Sequence, residues 1–199
     1  MTKRYLFLFL FGLIATLAKA QVTDTTLLNK LGDFDIANLN NDSYDALIIG
    51  ESILPDTAKI PQKSRIIFFA KLAKDYDDTE QDDKATYYYE KVSVAEPDYY
   101  VAQRALGYLY NEQAEDIQLK LYLTAKDGPA YKKLFDDYAK AARKALPHLE
   151  KAQACDPDDD TLDLIKTLYM NLHDEAGLNS LQGRLHDLGQ KCVDVLEDK

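Results

Sequence analysis

Residues 66–97 read IIFFAKLAKDYDDTEQDDKATYYYEKVSVAEP, and the spacing of their apolar side chains decides how the rest of the chain is read. Ile66, Phe69, Ala70, Leu72, Ala73 and Tyr76 recur every three or four positions, which places them on one broad helical face and predicts a helix over residues 64–76. The acidic turn 77–83 ends it. A second helix over 84–95 presents Ala85, Tyr88, Tyr89 and Val92 at the same period until Pro97 stops it. Pro97 and Asp98 open a third helix, whose inward positions are Val101, Ala105, Leu106, Leu109 and Tyr110.

The same period extends outward in both directions. On the N-terminal side, Leu27, Leu28 and Leu31 hint at a short helix within a segment, 21–41, that otherwise reads as a linker. Asp42 or Ser43 then caps a helix carrying Tyr44, Leu47, Ile48 and Leu54, ended by Pro55. On the C-terminal side, helical spacing continues through Ile117, Leu121 and Tyr122 to a Gly stop and Pro restart at Gly128 and Pro129. A long stripe follows: Tyr131, Leu134, Phe135, Tyr138, Ala142, Ala145, Leu146 and Leu149. These two stretches predict a pair of long antiparallel helices, the second kinked near Pro147. Helices over 161–172 and 175–196 complete the chain, the last interrupted at Gly183 or Gly189. No stretch alternates with period two, so the chain is predicted to be all-α.

Counted from Ile66, the signature positions of a helix pair of about 34 residues recur. Phe69 falls at position 4, Leu72 at 7, Ala73 at 8, Tyr76 at 11, Ala85 at 20, Tyr89 at 24 and Pro97 at 32, with Val92 at 27 in place of the usual alanine. This resembles a tetratricopeptide repeat. A second unit starts at Tyr100 with Leu106, Gly107 and Tyr110 in register, and resumes at Ala145, Leu149, Ala152 and Pro157. Tyr110 and Ala145 are 35 residues apart where the family has 9, so an insertion lengthens this hairpin. A third, looser unit carries Ile165, Leu168 and Tyr169, and residues 44–54 resemble the second helix of a degenerate earlier unit. The resemblance implies a TPR-like α-solenoid of antiparallel helix pairs over 42–199, about three repeats, with one elongated helical hairpin. It also implies a concave groove lined by Lys74, Arg104, Tyr108, Asn111, Met170 and Asn171, suited to a protein or peptide partner.

Residues 1–20, MTKRYLFLFLFGLIATLAKA, place Lys3 and Arg4 before an apolar run and end in Ala18-Lys19-Ala20, which reads as a secretory signal peptide cleaved before Gln21. The expected mature chain is periplasmic or secreted, without integral membrane insertion. Losing Lys3, Arg4 and Lys19 deepens the net charge from −10 to about −13, a field that repels phosphate backbones and argues against nucleic acid. In an exported chain Cys155 and Cys192 either form a disulfide or remain two small buried thiols.

No catalytic constellation stands out. His148, His173 and His186 lie singly, without a partner at ligand or triad spacing, and are expected on the surface. The aspartates from Asp156 to Asp160 mimic the opening of a calcium loop, but Thr167 stands where the closing glutamate belongs, so helix capping explains them better. The expectation is a non-catalytic interaction scaffold of the cell envelope, with no cofactor and no metal. The competing reading is a small-ligand or glycan-binding protein, or an enzyme, with a pocket between the long hairpin and the last helices. Self-association through uncapped repeat ends is a third expectation.

Overall fold

A computed structural model describes residues 25–126, 128–194 and 196; the expected signal peptide lies outside the described residues. Among the described residues eight α-helices follow one another: α1 (Thr25–Leu39), α2 (Ser43–Ile53), α3 (Gln62–Asp78), α4 (Asp82–Ala95), α5 (Tyr100–Tyr122), α6 (Pro129–Cys155), α7 (Asp159–Asn171) and α8 (Glu175–Leu188). A 3-10 helix, Leu54–Lys59, bridges α2 and α3. Among the described residues no strand forms, and no helix is long and apolar enough to cross a membrane. Each helix packs on its neighbour in sequence, most extensively α5 on α6, and α6 also meets α8.

The expected linker is a 15-residue helix. Leu27, Phe34 and Ala37 of α1 are buried, and Phe34 packs on Phe68 with ring centroids 5.0 Å apart. This changes the face of α2: Ala46, Leu47, Gly50 and Ile53 point inward, while Tyr44 and Ile48 are exposed. With α1 in place there are four helix pairs, α1/α2, α3/α4, α5/α6 and α7/α8.

Three of the four pairs are joined by the same turn. Asn41, Glu80 and His173 each adopt the left-handed conformation, with φ of 55°, 58° and 54°. Their amides bond the carbonyls of Asn38, Asp77 and Met170, and the next amides reach back to Ala37, Tyr76 and Tyr169. This double bond pattern satisfies the carbonyls left over at a helix C-terminus and reverses the chain within three residues, so the paired helices run antiparallel. Asp42 and Asp174 then cap the following helix, accepting the amides of Asp45 and Gly177. The α5/α6 pair instead has the long hairpin.

A second repeated feature joins one pair to the next. Tyr76 donates to Glu51 at 2.9 Å, Tyr110 to Glu90, and Tyr169 to Glu150 at 2.5 Å, across α2/α3, α4/α5 and α6/α7. Each carboxylate also meets a cation that lies over the tyrosine ring: Lys84 on Tyr76, Lys144 on Tyr110, Arg184 on Tyr169. Lys84 and then Tyr76 hold the Glu51 carboxyl below its ordinary range, and Tyr110 does the same for Glu90. Small residues permit the close approach behind these clasps. A Cβ on Gly107 would stand 2.6 Å from the Leu149 side chain, so only glycine lets α5 lie this near α6.

The C-terminal part departs most from expectation. α6 continues through Pro147 to Cys155, and α8 ends at Leu188 rather than reaching Leu196. Gly189 caps α8, and Cys155 and Cys192 form a disulfide with Cα atoms 5.5 Å apart. The chain beyond it runs beside the start of α5, where Val193 donates to the Asp98 carbonyl at 2.8 Å and accepts from the Tyr100 amide at 3.1 Å. Lys151, almost fully buried, anchors this return: its ammonium donates to Asp98 Oδ1 at 2.7 Å, to the Leu188 carbonyl at 3.1 Å and to the Lys191 carbonyl.

Candidate functional site

The first helices α3 and α5 line a groove of about 700 Å³. Ile67, Ala70, Lys74, Asp77 and Asp78 come from α3, and Tyr100, Val101, Arg104 and Ala105 from α5. Tyr99 and Asp156 close its ends, and Asp194 and Leu196 of the C-terminal segment complete the wall. Spacing of three to five residues along each helix brings these side chains to one side, which is how Lys74 and Arg104 come to share the groove.

Its cations are already partnered. Lys74 pairs with Asp78 at 2.5 Å, Lys71 with Asp35 at 2.8 Å, and Arg104 with Asp156 at 2.8 Å. Arg104 Nε, however, is buried without an acceptor. Burial, then Asp78 and Asp82, push the Asp77 carboxyl up; burial, then Asp82, Asp77, Glu115 and Asp116, do the same to Glu112. Acidic charge therefore gathers at the α3–α4 end of the groove.

Not every expected residue reaches it. Tyr108 is half-buried, with its hydroxyl 2.9 Å from Thr161 Oγ1, and so braces α5 against the start of α7. Asn111 is buried and donates to Glu115 at 2.7 Å. Met170 and Asn171 line a separate cup of about 280 Å³ at the long hairpin, with Tyr122, Tyr131, Phe135, Tyr138 and His173. None of these four residues lines the groove between α3 and α5. His148 is not a surface histidine: it lies half-buried, Nδ1 2.5 Å from Gln103 Oε1, and burial followed by Lys144 pulls its pKa down. Asp158 caps α7, accepting from the Thr161 amide at 2.8 Å and hydroxyl at 2.7 Å. Sequence reasoning missed the clasp glutamates, although each follows directly on the residue at position 24 of its unit, as Glu90 follows Tyr89 and Glu150 follows Leu149.

Asp75 lies beneath Lys74, on the buried side of α3. Burial pushes its carboxyl from 3.8 up to about 6, and Asp78 adds to this, while Asn38 of α1, Lys74 and Ser43 of α2 oppose it. The native carboxyl holds its proton more tightly than the unfolded chain does. Its contribution to stability is therefore fully present below about pH 4 and is lost as pH rises through about 6. The whole step is at most about 3 kcal/mol. Asp75→Asn is expected to be the more stable protein at pH 7.5 and to lose the advantage at pH 4.5; urea midpoints that differ from wild type equally at both pH values would refute this.

The chain matches no protein-family model, no curated protein and no solved structure.

Proposed function

We propose that this chain is an exported, non-catalytic scaffold of tetratricopeptide type that binds an extended segment of a cell-envelope protein in the groove between α3 and α5. The observation that carries this reading is that Lys74 and Arg104, both expected in the groove from the repeat resemblance, line one groove together with Ile67, Ala70, Asp77, Asp78 and Val101. The thrice-repeated turn and Tyr–Glu–cation clasp support a repeat architecture, because stacked equivalent units present equivalent interfaces. With α1 paired to α2, the array has four units. Lys74 and Val101 are exposed, so Lys74→Ala with Val101→Glu leaves the core intact. In pull-downs from native envelope extract the double variant is expected to recover at least tenfold less of whatever the wild type enriches; equal recovery would discard the groove.

A second reading rests on the aromatic cup. Tyr122, Tyr131, Phe135, Tyr138 and Met170 surround about 280 Å³ beside exposed Tyr122 and Met170, a surface suited to a ring or a sugar face. Loss of binding in Tyr122→Ala rather than in the groove variant would favour it.

A further inference from the structure

Part of this chain's own C-terminal segment already lines the groove between α3 and α5. Val193 pairs with the backbone of Asp98 and Tyr100, and Asp194 and Leu196 stand in the groove wall with Leu196 packed against the core. Tyr100 is the first residue of α5, so its amide has no intrahelical carbonyl to meet; Val193 supplies the acceptor. The segment enters as an added strand would, by main-chain bonds at Val193 followed by side chains placed in the groove. It is held upstream by the Cys155–Cys192 disulfide, one residue before Val193, and by buried Lys151 on the Leu188 and Lys191 carbonyls.

We propose that the segment around Val193, Asp194 and Leu196 is an intramolecular occupant of the groove latched by the disulfide, and that the external partner is an extended peptide that pairs its main chain with the α5 start and places an aliphatic side chain in the groove. The proposal rests on the groove reading above. The segment's chemistry fits the site: main-chain groups of Val193 meet the α5 start, the aliphatic Leu196 packs against the core, and Asp194 stays exposed at the groove wall. Tethering gives the segment an effective concentration of about millimolar, which a free peptide must outcompete. Opening the latch takes a dithiol: it reduces the disulfide to two thiols, takes up no other group, and leaves as its own cyclic disulfide.

The probe is a fluorescent synthetic peptide of residues 190–196 with Cys192→Ser. A chain ending at Gly189 and carrying Cys155→Ser is expected to bind it saturably, and Val101→Glu in that background to abolish binding. The oxidised full chain is expected to bind it at least tenfold more weakly. A truncated chain with native helical circular dichroism that does not bind the peptide overturns the proposal; so does equal binding by truncated and full chains. Failure here with envelope pull-down still sensitive to Lys74→Ala/Val101→Glu would leave the groove standing and reject only its occupant. Should truncation unfold the chain, hydrogen exchange of the full chain decides instead. Reduction is expected to speed exchange of the Tyr100 amide at least tenfold while the α3–α4 amides stay protected; unchanged Tyr100 exchange overturns the latch.

Discussion

Replacing Arg184 by alanine is expected to lower the free energy of unfolding by about 3–5 kcal/mol, the largest single-residue effect among the three clasps. Glu150 is 4% exposed, and Arg184 grips it twice, Nε to Oε2 at 2.9 Å and Nη2 to Oε1 at 2.7 Å. Tyr169 donates to the same carboxylate at 2.5 Å. Without the guanidinium, a desolvated carboxylate keeps one neutral donor, and the penalty for burying its charge is no longer offset. The equivalent lysines stand in a different regime. Side-chain exposure is 50% for Glu51 and 47% for Glu90, so water screens the pairs with Lys84 and Lys144. Lys84→Ala and Lys144→Ala should each cost less than about 1 kcal/mol. Removing both buried charges together, as Glu150→Leu with Arg184→Met, is expected to recover most of the loss. Urea unfolding of the five proteins tests the ranking, and an Arg184→Ala loss no larger than that of Lys84→Ala would show that Glu150 is solvated and the argument wrong.

Reducing the Cys155–Cys192 disulfide is expected to lower stability by about 4 kcal/mol on the chain-entropy account, which depends on the length of the closed loop. That loop spans a sequence separation of 37 and contains all of α7 and α8. The reduced chain gains conformational freedom for these helices only when unfolded, so the effect should fall on the unfolded state and leave native helical content unchanged. Cys155→Ser/Cys192→Ser should behave as the reduced wild type does. A midpoint that does not move on reduction would mean that the reduced, unfolded chain stays as constrained as the oxidised one.

Much of this architecture is legible in local spacing. Leu72, Ala73, Tyr76, Ala85, Tyr89 and Val92 are buried as the three-and-four period requires, because a helix repeats its faces every 3.6 residues wherever it packs. Phe68 rather than Phe69 is buried on α3, since its partner there is Phe34 of α1, which periodicity alone passes over. Of the tyrosines between 87 and 110, Tyr89 and Tyr110 go to the core, Tyr88 stacks on Tyr76 at 5.7 Å, and Tyr87 is exposed with its ring 5.0 Å from Tyr88. Candidate site residues divide similarly. Lys74 and Arg104 line the same groove because each is placed by its own helix, whereas Tyr108 braces α5 against α7, Asn111 bonds within α5, and Met170 and Asn171 line the cup at the long hairpin.

By itself the sequence determined the all-α class, the end of α4 before Pro97 and the start of α6 at Pro129, all consequences of interactions within a few residues along the chain; the stop expected at Gly128 comes earlier, since α5 ends at Tyr122 and Gly128 caps the start of α6. Only the tertiary structure decided that α1 completes a fourth pair, that three glutamates clasp three tyrosines, and that Val193 pairs with the start of α5 instead of continuing α8. The physical reason is distance along the chain. A helix is settled by neighbours three and four residues away, but the path of residues 191–193 is settled by Lys151, Cys155, Asp98 and Tyr100, which no local pattern brings beside them.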